Sequence, residues 1–202
     1  MIPAPGGLVD RVLAGAGLHH VFLAALAEKA IPILPSYILF PAIGMGAATV
    51  PDLLLRCIAA TLGSVGGALG WYLSGALIGP DRIRRLVGRH GRWLFLSPLL
   101  YDRMAAAYRR RPFAITVLGQ LVPTVRIFQA LPAGVLRLPL LPFLAATGVG
   151  ALCWIIPLAV AGHVLRQYGW TAPQVGLALL LGLVAVEGSA LLIARRSMAT
   201  GS

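Results

Sequence analysis

The chain has 202 residues, 58% of them hydrophobic and only 11% charged, a balance found in polytopic membrane proteins rather than in soluble domains. Its formal charge of +11 comes from sixteen arginines and one lysine, Lys29, against six acids. The arginines cluster beside apolar segments, so lipid headgroups and topology account for them better than nucleic acid does. The length suits a single domain. Met1 to Gly7 lacks the basic start of a signal peptide. Cys57 and Cys153 lie inside apolar runs and read as buried packing residues. The four histidines form no ligand cluster, so neither a metal nor a cofactor is expected.

In chain order, residues 8–30 read as a moderately apolar helix carrying Glu28 and Lys29 near its end; whether it spans or lies in the interface stays open. Residues 31–50 are apolar but interrupted by Pro32, Pro35, Pro41, Gly44 and Gly46. This pattern predicts a re-entrant hairpin with turns at Pro35, Pro41 and Gly44. Residues 52–79 are a span whose pairs Gly63/Gly67 and Gly66/Gly70 let another backbone approach closely, that of a hairpin or of a second copy in a homo-oligomer.

Residues 80–112 carry nine arginines against Asp81 and Asp102, which places this amphipathic segment on the cytoplasmic leaflet. Residues 113–140 are apolar enough to cross a bilayer core of roughly 30 Å. Pro123, Pro132 and Pro139 break them, however, and Arg126 sits in the middle. A second re-entrant hairpin is predicted, turning at Pro132 and Gly134. The alternative is one kinked span with a snorkelling arginine. Residues 141–165 and 171–194 are further spans, the last ending in Arg195-Arg196 and so in the cytoplasm. Counting back, the two hairpins enter from opposite sides. Pro41 to Pro51 and Pro132 to Pro142 share a ten-residue interval, a modest internal repeat of inverted hairpin-plus-span units. The fold class is therefore an all-α polytopic membrane protein with an inverted repeat.

Arg126 is the strongest chemical candidate, because a guanidinium stays charged and its donor fork suits phosphate. The expected substrate-binding set is Arg126, Gln120, Pro123, Thr124 and Arg137 from the second hairpin, with Ser36 and Tyr37 from the first. Glu28 is the candidate proton carrier, read against a plain Glu28–Lys29 pair. Glu187 lies in the last span, where a proton or salt-bridge role competes with exposure to a water-filled cavity. No nucleophile with a base, paired acids or metal-ligand spacing points to catalysis.

The stretch from Gly119 through Pro123, Arg126, Ala133-Gly134 and Phe143 to Trp154, with the Glu28 to Ser36 opening, resembles the DedA family of bacterial membrane proteins, which shares the VTT domain with eukaryotic lipid scramblases. The resemblance covers about Leu26 to Gly162. It implies movement of undecaprenyl phosphate or phospholipids across the cytoplasmic membrane, with proton coupling. Three positions depart from the family pattern. Gln120 stands where it has an arginine, Tyr37 where it has a second acid, and Gly66 to Trp71 contain no acid ahead of Tyr72. The expectation is a lipid flippase or scramblase; the alternatives are a small-ion or solute transporter and a non-transporting assembly protein.

Overall fold

The computed structural model describes residues 17–31, 35–82, 85, 106 and 108–182. Among them the architecture is all-helical, with no strand. The helices are α1 (Leu18–Ala30), α2 (Ser36–Met45), α3 (Val50–Ile78), α4 (Pro112–Leu121), α5 (Pro123–Phe128), α6 (Ala130–Val135), α7 (Leu140–Leu165) and α8 (Ala172–Gly182). A short 3₁₀ turn, Arg166–Tyr168, continues α7.

Helix α3, with 29 residues, and α7 with its 3₁₀ turn, also 29, are long and apolar enough to cross a membrane. At 1.5 Å per residue each extends about 43 Å. They run in opposite directions. Leu53, Cys57 and Ala60 of α3 share one core with Ala151, Ile155 and Ala159 of α7. Ala68 and Tyr72 share a second core with Phe143, and Val65 meets Gly148 between the two. The outer faces stay apolar and exposed at Leu54, Ile58, Leu62 and Leu77 of α3 and at Leu141, Val149 and Val160 of α7.

Local chemistry sets where α3 starts. Thr49 Oγ1 accepts from Asp52 N, Pro51 occupies the first turn, and Asp52 pairs with Arg56 at 3.1 Å. These are an N-cap and a carboxylate at the positive end of the helix dipole. Gly79, at φ 75, ends it.

The short helices pack on these two. Helix α1 lies along α3, where Gly63 abuts the Phe22 carbonyl and Gly67 leaves room for the Lys29 stem. Helix α2 packs on α7, with Gly44 against the Ala159 carbonyl and Gly162 against the Pro41 carbonyl. The carbonyls at the α2 C-terminus are reached from the far end of α7: Arg166 Nη1 donates to Met45 O at 2.7 Å, and His163 Nδ1 is 3.3 Å from Gly44 O. Helix α6 packs on α3, with Gly134 against the Tyr72 carbonyl and Gly75 against the Leu131 carbonyl. The Tyr72 hydroxyl donates to Leu138 O. Helix α4 packs on α7 where Gly150 receives Gln120.

Several expectations need correction. Helix α1 begins at Leu18 after an extended Gly17, rather than running unbroken from Leu8, and its 13 residues give about 20 Å, too short to span. Pro41 and Gly44 are not turns; they lie inside α2, so residues 35–49 hold one helix instead of two arms. Pro132 and Gly134 likewise lie inside α6. Pro132 is tolerated because it falls in the first turn, where its missing N–H would have no intrahelical partner. The chain breaks instead at extended Ile31 and Val122, at Gln129, and in the Leu136–Pro139 turn. The glycines serve close helix contact rather than reversal. Cys153 is exposed, whereas Cys57 is buried as expected. The expected segments 8–16, most of 80–112, and 183–194 with Glu187 and Arg195-Arg196 lie outside the described residues.

Candidate functional site

Between the two apolar cores lies a cluster of buried polar side chains that four helices bring together. Helix α1 ends in Glu28 and Lys29, only 6% and 4% exposed. Adjacent helical residues point about 100° apart, so the two diverge rather than pair. Arg126, on the short α5, donates from Nη2 to Glu28 Oε1 at 3.5 Å. Lys29 Nζ reaches across 91 positions to Gln120 Oε1 at 3.1 Å and also donates to Arg126 O at 2.8 Å. The expected neighbour pair Glu28–Lys29 is thus replaced by two long-range pairs.

Broken backbone positions these groups. Val122, extended at φ −96 and ψ 114, separates α4 from α5, so Gln120 ends one helix and Arg126 sits in the next. Pro123 opens α5, and the Arg126 amide donates to Val122 O at 2.9 Å. Gln120 is 1% exposed, seated where Gly150 of α7 has no side chain to exclude it. The Lys29 backbone is anchored too, since Trp71 Nε1 donates to its carbonyl at 3.1 Å.

Aromatic rings close the cluster. The Arg126 guanidinium carbon is 5.0 Å from the Trp154 ring centroid and 5.8 Å from that of Phe40, within the range of cation–π attraction. Tyr37 meets Trp154 edge-on at 5.6 Å. Four buried polar atoms here have no hydrogen-bond partner among the described residues: Glu28 Oε2, Gln120 Nε2, Arg126 Nη1 and Trp154 Nε1. Three are donors. Buried polar atoms in folded proteins are nearly always satisfied, so the group has spare capacity for an acceptor-rich ligand.

Of the residues expected to form the site, Glu28, Gln120 and Arg126 converge, and Tyr37 joins through Trp154. Pro123 and Thr124 form the first turn of α5, and Ser36 starts α2 beside Tyr37. Arg137 does not join: it is exposed, at φ 50 in the turn after α6, and its amide donates to Gly134 O. Lys29, Phe40 and Trp154 are not among the expected site residues; the sequence offers Lys29 only as a partner of Glu28, and Trp154 only as part of the stretch that carries the family resemblance. The signals available were a solitary lysine at the end of an apolar helix and a tryptophan inside the stretch of family resemblance.

The match to known proteins follows this architecture. Residues 31–164 match the VTT domain, a stretch that holds Arg126, Gln120 and Trp154. The chain belongs to the VTT-domain family, the DedA membrane proteins. It is 26% identical over 161 residues to undecaprenyl phosphate transporter A of Staphylococcus aureus (strain NCTC 8325 / PS 47), covering 79% of each chain. It is 31% identical over 160 residues to proteins named alkaline phosphatase-like protein from Lactococcus lactis subsp. cremoris (strain MG1363) and subsp. lactis (strain IL1403), covering 78% of this chain and 75% of each relative. No solved structure matches. Glu28 and Lys29 lie just ahead of the VTT match, so the segment preceding it supplies two of the three charged residues of the cluster.

Proposed function

We propose that this VTT-domain protein carries a lipid with a phosphate headgroup across the bacterial cytoplasmic membrane. Phosphate binds at Arg126, and the acyl or prenyl tail stays in the bilayer. The observation that carries this reading is the buried Glu28–Arg126 pair, with Arg126 Nη1, Gln120 Nε2 and Trp154 Nε1 left unpartnered among the described residues. A buried guanidinium with an unsatisfied donor is costly unless a polar partner meets it, so Arg126, 3% exposed with Nη1 unpartnered among the described residues, argues for a polar ligand. The name of the Staphylococcus aureus relative supports a polyprenyl phosphate as substrate.

On this reading the whole chain is one transmembrane domain. Helices α1 and α2 form a re-entrant hairpin entered from the end where α3 begins, and α4 to α6 form another entered from the end where α7 begins. The packing supports it: Gly44 and Met45 of α2 meet the C-terminal end of α7, whereas Leu131 and Gly134 of α6 meet the C-terminal half of α3. Each hairpin leads into a span, with opposite orientation, as in secondary transporters built from inverted repeats. The arginine-rich 80–112 segment would then face the cytoplasm. Glu28 holds Arg126 while the site is empty; protonation of Glu28 frees the guanidinium for the headgroup and couples proton movement to lipid movement.

The test is a flip assay in liposomes with labelled polyprenyl phosphate. The parent protein moves lipid and Arg126→Ala does not. Equal rates for the two would end the headgroup role, and flux of inorganic phosphate without lipid movement would favour a solute transporter instead.

A further inference from the structure

We infer that Lys29 is the site's second anion-binding cation and makes it select a phosphate monoester over a diester. The inference rests on the lipid-phosphate reading above and adds a residue and a headgroup charge to it. With Lys29 protonated, it and Arg126 bring two positive charges to the cluster, and Glu28 is the only carboxylate bonded to either of them among the described residues. A buried surplus charge is unfavourable unless something neutralises it. In that state the empty cluster lacks one negative charge. A phosphodiester supplies one when bound; a phosphate monoester, largely a dianion near neutral pH, supplies more and gains more from a second cation.

Geometry makes Lys29 a fixed part of the site rather than a snorkelling side chain. Its stem fits against Gly67, where a Cβ would fall 2.7 Å from Lys29 Cβ. Its carbonyl is held by Trp71, and its ammonium bridges Gln120 Oε1 and Arg126 O. An ammonium has three donors, and these two contacts use two of them. Gln120 orients the charge, because its amide oxygen faces Lys29 and its Nε2 is left unpartnered beside it. Lys29 Nζ, Gln120 Nε2 and Arg126 Nη1 together offer three donors to the separate oxygens of one phosphate. Each comes from a different helix.

The test is equilibrium binding by the purified full-length protein of two probes, a short-chain alkyl phosphate (monoester) and a dialkyl phosphate (diester). Lys29→Met keeps the stem and removes the charge. It is expected to weaken monoester binding about tenfold and to change diester binding less than about threefold. Gln120→Arg added to Lys29→Met returns a cation at the position whose side chain contacts the lost ammonium and restores the monoester preference. Should Lys29→Met not fold, Gln120→Glu serves: it leaves Lys29 in place, neutralises the surplus, and lowers monoester affinity selectively. Equal losses for both probes, no loss, or a double variant as poor as the single would overturn the assignment. Binding needs no transport, so failure of lipid movement in liposomes would sink the transport reading while leaving this result to stand or fall by itself.

Discussion

The Arg126 guanidinium lies 5.0 Å from the ring centroid of Trp154 and 3.5 Å from the Glu28 carboxylate. One cation is thus held by an aromatic face and an anion at once. The ring adds attraction without giving up a charge, so a ligand that takes the carboxylate's place still finds Arg126 aimed. Trp154 also brings an indole N–H with no partner among the described residues. Trp154→Phe keeps a ring under the guanidinium and removes that N–H. We expect it to change thermal stability by less than about 1 kcal/mol while slowing lipid movement several-fold. Unfolding in detergent and the liposome assay, run on the same preparation, check the two halves of this expectation.

Removing one member of the buried pair should harm the protein more than removing both. Arg126→Met strands the Glu28 carboxylate, and breaking a buried pair in this way costs about 3–5 kcal/mol. Glu28→Gln in the same chain lifts part of that penalty, because the stranded carboxylate is gone while Lys29 keeps its bonds to Gln120 Oε1 and to the backbone carbonyl at position 126. The double variant should therefore unfold later than Arg126→Met alone yet move no lipid. A double variant that transported would separate stability from function in the wrong direction.

The long spans and the place of Arg126 were legible from hydropathy and from one arginine in a proline-broken apolar stretch. The hairpin arms were not. Proline and glycine at 41, 44, 132 and 134 look like turn chemistry, but Gly44 and Gly134 are small because a carbonyl of a long helix presses on each. A sequence does not display such a contact. Lys29 was hidden for a related reason: beside Glu28 it looks like a neighbour's counter-ion, and only the fold reveals that helical geometry sends it to Gln120. The departure at Gln120 from the family pattern then has a physical sense, since an acceptor suits that position once Lys29 has brought the cation.

Those glycine contacts make a contrasting pair of expectations. A side chain at Gly134 would collide with the Tyr72 carbonyl, and one at Gly44 with the Ala159 carbonyl. Backbone cannot yield as a flexible side chain can, so Gly134→Ala and Gly44→Ala should each destabilise by about 1–3 kcal/mol. Gly70 sits in the interior of α3 with nothing within 4 Å of an added Cβ. Gly70→Ala should be neutral or stabilising by up to about 1 kcal/mol, since alanine loses less backbone freedom in a helix. Thermal unfolding of the three variants in one detergent decides the matter; a Gly134→Ala protein as stable as its parent would refute the close α6–α3 packing.

The Tyr72 hydroxyl ties the middle of the same interface to the turn ahead of α7. It donates to Leu138 O, while its ring stacks on Phe143 at 5.3 Å and 28°. Tyr72→Phe keeps the stack and removes the donor, which should cost about 0.5–1.5 kcal/mol for the lost bond. The effect should be local, because Leu138 lies between α6 and α7 and its carbonyl is the only atom released. Hydrogen exchange should therefore quicken at the amides of Leu136 to Leu138, whose acceptors are Pro132 O, Gly134 O and Ala133 O, and stay unchanged at Gly46 and Ala47, in the loop after α2. Equal quickening at both places would mean that Tyr72 supports the whole molecule and not this one turn.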